Sequence, residues 1–260
     1  MIFDIQSGAN PDKEQLAEQF LEAWREPSNK VFVFRTDVCA DGVRSFYESI
    51  FPHIGKSAFY AEDVNLGDRS EQRTNELWME VRYDPTFPDA YRHSANAQPL
   101  HTDGSYIPDY PTTFMCCVAN SDDGGETTFL DTSDLVLTLK VEKPKLFEFL
   151  TSTEVLHSRS GDSRQEQVLR QLNERWYVNW NYYCLADSLS VEVRQQMDEF
   201  HQFLLDSDGI RDATVPVKMM PGDAVLWRDD EVLHGRNSFS AKETSERFLW
   251  KCAIEPGIVS

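Results

Sequence analysis

The chain of 260 residues carries 44 acidic and 25 basic side chains, so its formal net charge at neutral pH is −19. This charge argues against a nucleic-acid partner, which needs a basic footprint, and against binding to an anionic membrane surface. Five cysteines without C-x-x-C spacing argue against a disulfide framework or a zinc ribbon.

The N-terminus has neither a basic region nor a long apolar run, and no stretch reaches the roughly 18 apolar residues that a membrane span needs. We therefore expect a cytoplasmic protein. Its length is typical of one large domain, so we expect a single domain over residues 1–260. We expect the N-terminal helices, at about residues 11–55, to pack on the rest of that domain.

The first part of the chain alternates between helical and strand patterns. Apolar residues recur every four positions between residues 11 and 25, which predicts an amphipathic helix. A buried strand is predicted at residues 31–35, where the sequence reads VFVFR. A second helix is predicted from Ala40 to about Ile54.

Short, turn-bounded strand patterns dominate the remainder, and they do not alternate with helices as in a parallel α/β fold. Two further helices are predicted, at residues 132–150 with a break near Pro144, and at residues 191–205. This pattern favours a mainly β fold with flanking helices and a double-stranded β-helix (jelly roll) core. The predicted strands are 77–83, 112–119, 127–130, 154–157, 176–183, 213–219, 223–227 and 247–254.

His101-Thr102-Asp103 is the clearest chemical motif. If these residues lie on a strand, His101 and Asp103 point to the same face. They would then supply two members of the 2-His-1-carboxylate triad that holds non-haem Fe(II) and leaves coordination positions open. A third ligand is available in His234, between a leucine and a glycine at the end of a predicted strand. The alternative for His234 is a core histidine bonded to a backbone carbonyl.

Arg247 opens a predicted buried strand thirteen residues after that histidine. A buried guanidinium needs an anionic partner, because an unpaired buried charge costs several kcal/mol. That partner is either an acidic side chain or the carboxylate of a bound co-substrate, which the planar guanidinium can hold through two hydrogen bonds.

Together these motifs resemble the Fe(II)/2-oxoglutarate-dependent dioxygenases, in particular the branch that looks like taurine dioxygenase and clavaminate synthase. The family pattern is H-x-D/E, a long interval, a second histidine, and an arginine about 10 to 15 residues later. A Gly-Gly-acidic-Thr segment follows the first motif at the familiar distance, here at residues 124–127. The matching residues are His101, Asp103, His234, Arg247 and Thr127, with Thr128 as the alternative to Thr127 one position along.

The resemblance implies a chemistry. The triad would hold Fe(II), Arg247 and Thr127 would bind 2-oxoglutarate, and O2 would be consumed as succinate and CO2 are released. Asp103 favours hydroxylation of an unactivated C–H, because halogenases of this superfamily lack the carboxylate ligand. Desaturation and cyclisation use the same ligands and stay open.

Residues near these motifs are candidates for contacts with a small-molecule substrate. Basic residues are scarce in this chain, so Arg82 and Arg236 suggest an anionic or amino-acid-like substrate. The oligomeric state stays open. The substrate-binding candidates are Arg82, Asn96, Gln98, Tyr106, Asn181 and Arg236.

Two other readings remain. A cupin-like metalloenzyme on a jelly roll would not use 2-oxoglutarate, and nothing in that reading requires Arg247. A non-enzymatic ligand-binding jelly roll would bind no iron and form no succinate.

Overall fold

The computed structural model describes residues 1–7, 12–58, 77–88, 90–108, 112–159 and 161–257. Pro11, the expected first residue of the N-terminal helix, lies outside these ranges. The helices are α1 (Lys13–Arg25), α2 (Val43–Glu48), α3 (Phe51–Ile54), α4 (Thr132–Glu142), α5 (Pro144–Ser152), α6 (Val191–Asp206) and α7 (Asp208–Ala213).

Strands account for most of the other regular structure. They are β1 (Ile2–Gln6), β2 (Val31–Arg35), β3 (Gly55–Ala58), β4 (Met79–Arg82), β5 (Gln98–His101), β6 (Thr112–Ala119), β7 (Thr127–Asp131), β8 (Glu154–Arg159), β9 (Asp162–Gln167), β10 (Leu169–Leu172), β11 (Arg175–Val178), β12 (Val215–Val217), β13 (Ala224–Trp227), β14 (Val232–Arg236) and β15 (Phe248–Pro256).

Two sheets form the core. The larger has the order β1-β2-β13-β6-β15-β3, with β4 also paired to β15, and the smaller has the order β12-β7-β14-β5. All pairings in these two sheets are antiparallel except β1 with β2. Between the sheets lies an apolar layer that includes Val33, Met115 and Leu249 from the larger sheet and Phe129 and Val232 from the smaller. This mainly β architecture confirms the predicted double-stranded β-helix core with flanking helices.

Strand β2 is buried on both faces because its side chains alternate between two apolar layers. Val31 and Val33 point between the sheets, whereas Phe32 and Phe34 point outward. On the outer face they pack against Phe20 of α1, at ring-centroid distances of 5.2 and 5.8 Å. The N-terminal helices therefore pack on the larger sheet.

The predicted continuous helix from Ala40 to Ile54 is wrong. A 3₁₀ turn covers Ala40–Gly42, and two short helices, α2 and α3, follow it. Pro52 lies in the first turn of α3, and a proline cannot donate the hydrogen bond that would continue α2. The predicted helix at 132–150 is interrupted before Pro144, as expected from the same principle.

Helices α4–α6 and strands β8, β10 and β11 surround a second apolar cluster on the outer face of the smaller sheet. Here the predicted strand at 176–183 ends at Val178, and the predicted strand at 213–219 shrinks to β12. Strand β9 was missed because its sequence, DSRQEQ, has no apolar residue to mark a buried face. None of the helices within the described residues has both the length and the apolar character that a membrane crossing requires.

Candidate metal centre

Two antiparallel strands of the smaller sheet bring the predicted histidines together. Strand β14 lies between β5 and β7, and its register places His234 directly opposite His101. The two imidazole centroids are 4.2 Å apart, and both side chains are buried. The pairing of β5 with β14 therefore joins two residues that are 133 positions apart in the chain.

Asp103 completes the cluster, although not from a strand. Strand β5 ends at His101, and Asp103 lies in the turn that follows, so the expected same-face arrangement along one strand is wrong. The turn nevertheless brings the carboxylate inward: its oxygens lie 3.7 Å from His101 Nε2 and 3.5 Å from His234 Nε2. One donor atom from each of the three residues, hereafter the triad, lies within 4.8 Å of the others.

The protonation states of the triad suit a divalent cation. His101 Nδ1 lies 2.9 Å from the carbonyl of Pro99, which as an acceptor fixes the proton on Nδ1 and leaves the Nε2 lone pair facing Asp103. Burial, and then the proximity of His101, hold the pKa of His234 well below its usual range, so its imidazole is neutral. Two imidazoles and a carboxylate are the ligand set of the non-haem Fe(II) facial triad. The residues present therefore fit this ion.

Two side chains hold the Asp103 carboxylate in place. Lys251 Nζ lies 2.6 Å from Oδ1, and the Thr113 hydroxyl donates to Oδ2 at 2.8 Å. Burial alone would raise the pKa of Asp103, but the positive charge of Lys251 outweighs it, and the pKa of Asp103 lies well below its ordinary value. Asp103 is therefore ionised at neutral pH.

Asp229 is a buried acidic residue next to the triad. It accepts hydrogen bonds from the backbone amides of Asp103 and Gly104, at 2.8 and 3.1 Å. Burial, and then the charge of Asp103, raise the pKa of Asp229 to about 8. A cation held by the triad would offset that neighbouring charge and stabilise the Asp229 carboxylate.

A cavity adjoins the two histidines. Thr127 and Gln98 contribute polar groups to its wall, and Met79, Val81 and Met115 contribute apolar ones. None of the described residues that line it is acidic. Its basic lining residues are Arg92, Arg236, Arg247 and Lys251.

Arg247 is almost fully buried at one side of this cavity, with 2% of its surface exposed. Its Nε donates to the carbonyl of Gly125 at 3.3 Å, and no salt bridge to an acidic side chain occurs among the described residues. Gly125 has φ +76, and a Cβ there would lie 3.1 Å from Arg247 Nε, so a glycine suits this close approach. Burial, and then the charge of Arg236, lower the pKa of Arg247 to about 9. The guanidinium is thus charged at neutral pH, and no described acidic side chain forms a salt bridge with it.

The two threonine candidates for the co-substrate differ in position. Thr127 lines the cavity and lies opposite Arg236 in the pairing of β7 with β14. Thr128, one residue on, lies opposite Gly235 and is not part of the cavity wall. The geometry therefore favours Thr127, whose role in binding stays a prediction.

Two of the six substrate-binding candidates reach the cavity. Gln98 Nε2 lies 3.2 Å from His101 Nε2. Arg236 lines the wall, but its guanidinium donates to the backbone carbonyls of Ser94 and Asn96, at 2.9 and 2.5 Å. Their contact with a substrate stays a prediction.

The other four candidates do not line the cavity. Arg82 lies 2.9 Å from Glu80, Asn181 caps the 3₁₀ turn at 182–184, Tyr106 is buried, and the Asn96 side chain is exposed.

Sequence reasoning missed three residues that the structure places near the centre. Lys251 had a usable signal, because it follows Arg247 by four positions within the predicted strand 247–254, where such residues share a face. Arg92 and Asp229 lie outside regular strands and had none.

Comparisons with known proteins agree with this geometry. The model of the family described as taurine catabolism dioxygenase TauD, TfdA family matches residues 2–253. A uridine-5'-phosphate dioxygenase from a Streptomyces species is 25% identical over an alignment of 177 residues, and the match covers 60% of this chain and 61% of that protein. The match thus spans less than two thirds of the relative's length.

Solved structures share the fold at low sequence identity. An asparagine oxygenase in complex with Fe(II), 2S,3S-3-hydroxyasparagine and succinate has a TM-score of 0.72 and 11% identity, covering 93% of this chain and 79% of its own. The non-haem iron oxygenase OrfP with Fe and α-ketoglutaric acid has a TM-score of 0.66 and 12% identity, covering 97% and 94%. PvcB from Pseudomonas aeruginosa has a TM-score of 0.63 and 17% identity, covering 97% and 86%.

Proposed function

The chain belongs to the TauD/TfdA dioxygenase family, and from this premise we propose that it is an Fe(II)- and 2-oxoglutarate-dependent oxygenase. Its reaction would hydroxylate an unactivated C–H of a small molecule with O2, while 2-oxoglutarate is converted to succinate and CO2. One observation carries the proposal: the two histidines of the triad line one cavity with Arg247, a buried cation that forms no salt bridge with any described acidic side chain.

Each residue has a part in this reaction. His101, Asp103 and His234 would hold Fe(II), which supplies the redox chemistry and the open coordination positions when bound. Arg247 would hold the distal carboxylate of 2-oxoglutarate through its guanidinium, with the Thr127 hydroxyl as a further donor. The apolar wall formed by Met79, Val81 and Met115 would limit the access of water.

A cupin-like enzyme that does not use 2-oxoglutarate explains the same fold less well. It accounts for the triad but gives no reason to bury Arg247 beside it without an acidic partner. A non-enzymatic binding module accounts for neither the triad nor the neutral imidazole of His234. A dioxygenase accounts for all of these features, because Fe(II) would bind the triad and 2-oxoglutarate would bind Arg247.

The substrate is proposed to be a small anionic or amino-acid-like molecule. The relative named above acts on uridine 5'-phosphate by its name, and the neighbours bind hydroxyasparagine and hydroxyarginine, so acidic groups recur. Four basic residues line the described part of the cavity wall, namely Arg92, Arg236, Arg247 and Lys251. We propose that Arg92 contacts a carboxylate or phosphate of the substrate from this wall.

Three further features of the protein are part of this proposal. We propose one domain over residues 1–260, a cytoplasmic location, and a small-molecule substrate rather than a nucleic acid. The packing of α1 on the larger sheet and the net charge of −19 support the first and last of these.

The test is succinate formation from 2-oxoglutarate in the presence of Fe(II) and O2, alone and with panels of phosphorylated and amino-acid-like compounds. We expect iron-dependent succinate formation that an accepted substrate stimulates, together with a hydroxylated product. His101→Ala should lose both iron binding and turnover. Wild-type protein that binds no 2-oxoglutarate in the presence of iron would refute the proposal.

A further inference from the structure

We infer that Asp229 is a positioning residue that connects the two metal-ligating segments, holding the backbone at Asp103 with one carboxylate oxygen and the His234 imidazole with the other. This inference rests on the proposed function, because it assigns the triad to a metal ion.

The first oxygen shapes the turn that carries Asp103. Asp229 Oδ2 accepts hydrogen bonds from the amides of Asp103 and Gly104, at 2.8 and 3.1 Å. Strand β5 has already ended at His101, so no strand partner fixes these two amides. Without Asp229 they would be left without this acceptor, and an unsatisfied donor in the interior destabilises the fold. Asp229 therefore fixes the backbone of the Asp103 turn through hydrogen bonds, as strand pairing fixes the backbone at His101.

The second oxygen faces the distal histidine. Asp229 Oδ1 accepts from Trp227 Nε1 at 3.1 Å and lies 3.5 Å from His234 Nδ1. His234 Nδ1 is buried and has no hydrogen-bond partner among the described residues. Its Nε2 faces Asp103. When Nε2 binds a metal, the neutral ring carries its proton on Nδ1, and Asp229 is the acceptor in position to receive it.

The choice of a carboxylate at position 229 follows from the number of donors. Two amides, an indole N–H and an imidazole N–H converge on it, and an ionised carboxylate only accepts hydrogen bonds. An asparagine would have to turn its NH2 group toward one of these donor pairs. Asp229→Asn therefore changes hydrogen-bond polarity with almost no change in size.

The experiment compares Asp229→Asn with Asp230→Asn. Asp230 is the adjacent acid, and its side chain has no contact with the triad among the described residues, so it is a matched control. Three quantities are measured: Mn(II) affinity by titration, the absorption spectrum of the Co(II)-substituted protein, and the melting midpoint of the metal-free protein. We expect Asp229→Asn to weaken Mn(II) binding by roughly 10- to 100-fold, the usual effect of losing such a partner, and to alter the Co(II) spectrum. Asp230→Asn should change neither.

A merely structural Asp229 would give a different result. The melting midpoint of Asp229→Asn would fall, while Mn(II) affinity and the Co(II) spectrum would match those of the wild type, and this would overturn the inference. If Asp229→Asn does not fold, Asp229→Glu keeps the charge but misplaces both oxygens, and unchanged Mn(II) affinity would equally overturn it. Wild-type protein that binds no Mn(II) would instead refute the proposed function and the inference together.

Discussion

The two ends of the cavity differ in how completely the protein satisfies its own charges. At the metal end, the carboxylate of Asp103 is paired with Lys251 and Thr113, and His101 is fixed by the Pro99 carbonyl. At the cation end, formed by Arg92, Arg236 and Arg247, none of the described residues lining the wall is acidic. The metal end is organised by the protein itself, whereas the cation end is suited to an anionic ligand.

A shortage of acidic residues does not explain this difference. The chain has 44 acidic residues against 25 basic ones, yet its cavity wall has the opposite balance. Burying Arg247 without a carboxylate also has a cost, which its lowered pKa reflects. The cation end therefore trades stability for the capacity to bind anions, which is what an enzyme with a dicarboxylate co-substrate requires.

Removing the guanidinium of Arg247 should produce the largest separation between the two ends. Arg247→Gln is expected to weaken 2-oxoglutarate binding on the order of 100-fold, because losing one partner of a buried charge pair costs about 2–5 kcal/mol. Mn(II) affinity should stay at the wild-type value, because the triad is intact. Titrations of 2-oxoglutarate and of Mn(II) measure the two effects. Equal weakening of both ligands would mean that Arg247 supports the structure of the whole site.

Arg92 tests whether the cation end also recognises the substrate. Arg92→Gln is expected to raise the KM for an anionic substrate about tenfold, as for a lost hydrogen bond to a charged group. Its KM for 2-oxoglutarate should not change, since Arg247 remains. Succinate formation with and without substrate separates the two constants. If only the KM for 2-oxoglutarate rose, Arg92 would be assigned to the co-substrate site instead.

Thr127 should give the smallest effect. Thr127→Val keeps the shape of the side chain and removes one neutral donor, so the KM for 2-oxoglutarate should rise about fivefold, or about 1 kcal/mol. Thr128→Val is the matched control, because Thr128 lies next to Thr127 but outside the cavity wall. Steady-state kinetics measures both variants. If Thr128→Val had the larger effect, Thr128 rather than Thr127 would be the threonine that contacts 2-oxoglutarate.

The sequence predicted the chemistry of the site better than its geometry. The β-rich pattern led to the double-stranded β-helix core, which is confirmed, and the motif spacing led to the family, which is confirmed as well. The same-face argument for His101 and Asp103 was wrong, because it assumed a strand through a turn. The backbone amide of Asp103 in that turn donates to Asp229, 126 residues later in the chain. Local periodicity carries no information about such a contact.

The arginines chosen from the sequence as substrate contacts show a second limit of sequence-based prediction. Arg82 and Arg236 were singled out because basic residues are scarce, but the structure pairs Arg82 with Glu80 and bonds Arg236 to two carbonyls. Arg92 lines the cavity from an irregular segment with no motif around it. Whether an arginine meets a ligand or the protein depends on tertiary packing, which residue type alone does not reveal.

Strand β14 has a consequence for how this protein can vary. It carries His234 toward β5 and Arg236 opposite Thr127 of β7, and its pairing with β5 shifts register between His234 and Arg236. One inserted or deleted residue in this strand would turn His234 away from the centre, since neighbouring side chains on a strand face opposite sides. Length changes should therefore be tolerated in the connecting segments but not in β14, which places His234 opposite His101 and Arg236 opposite Thr127.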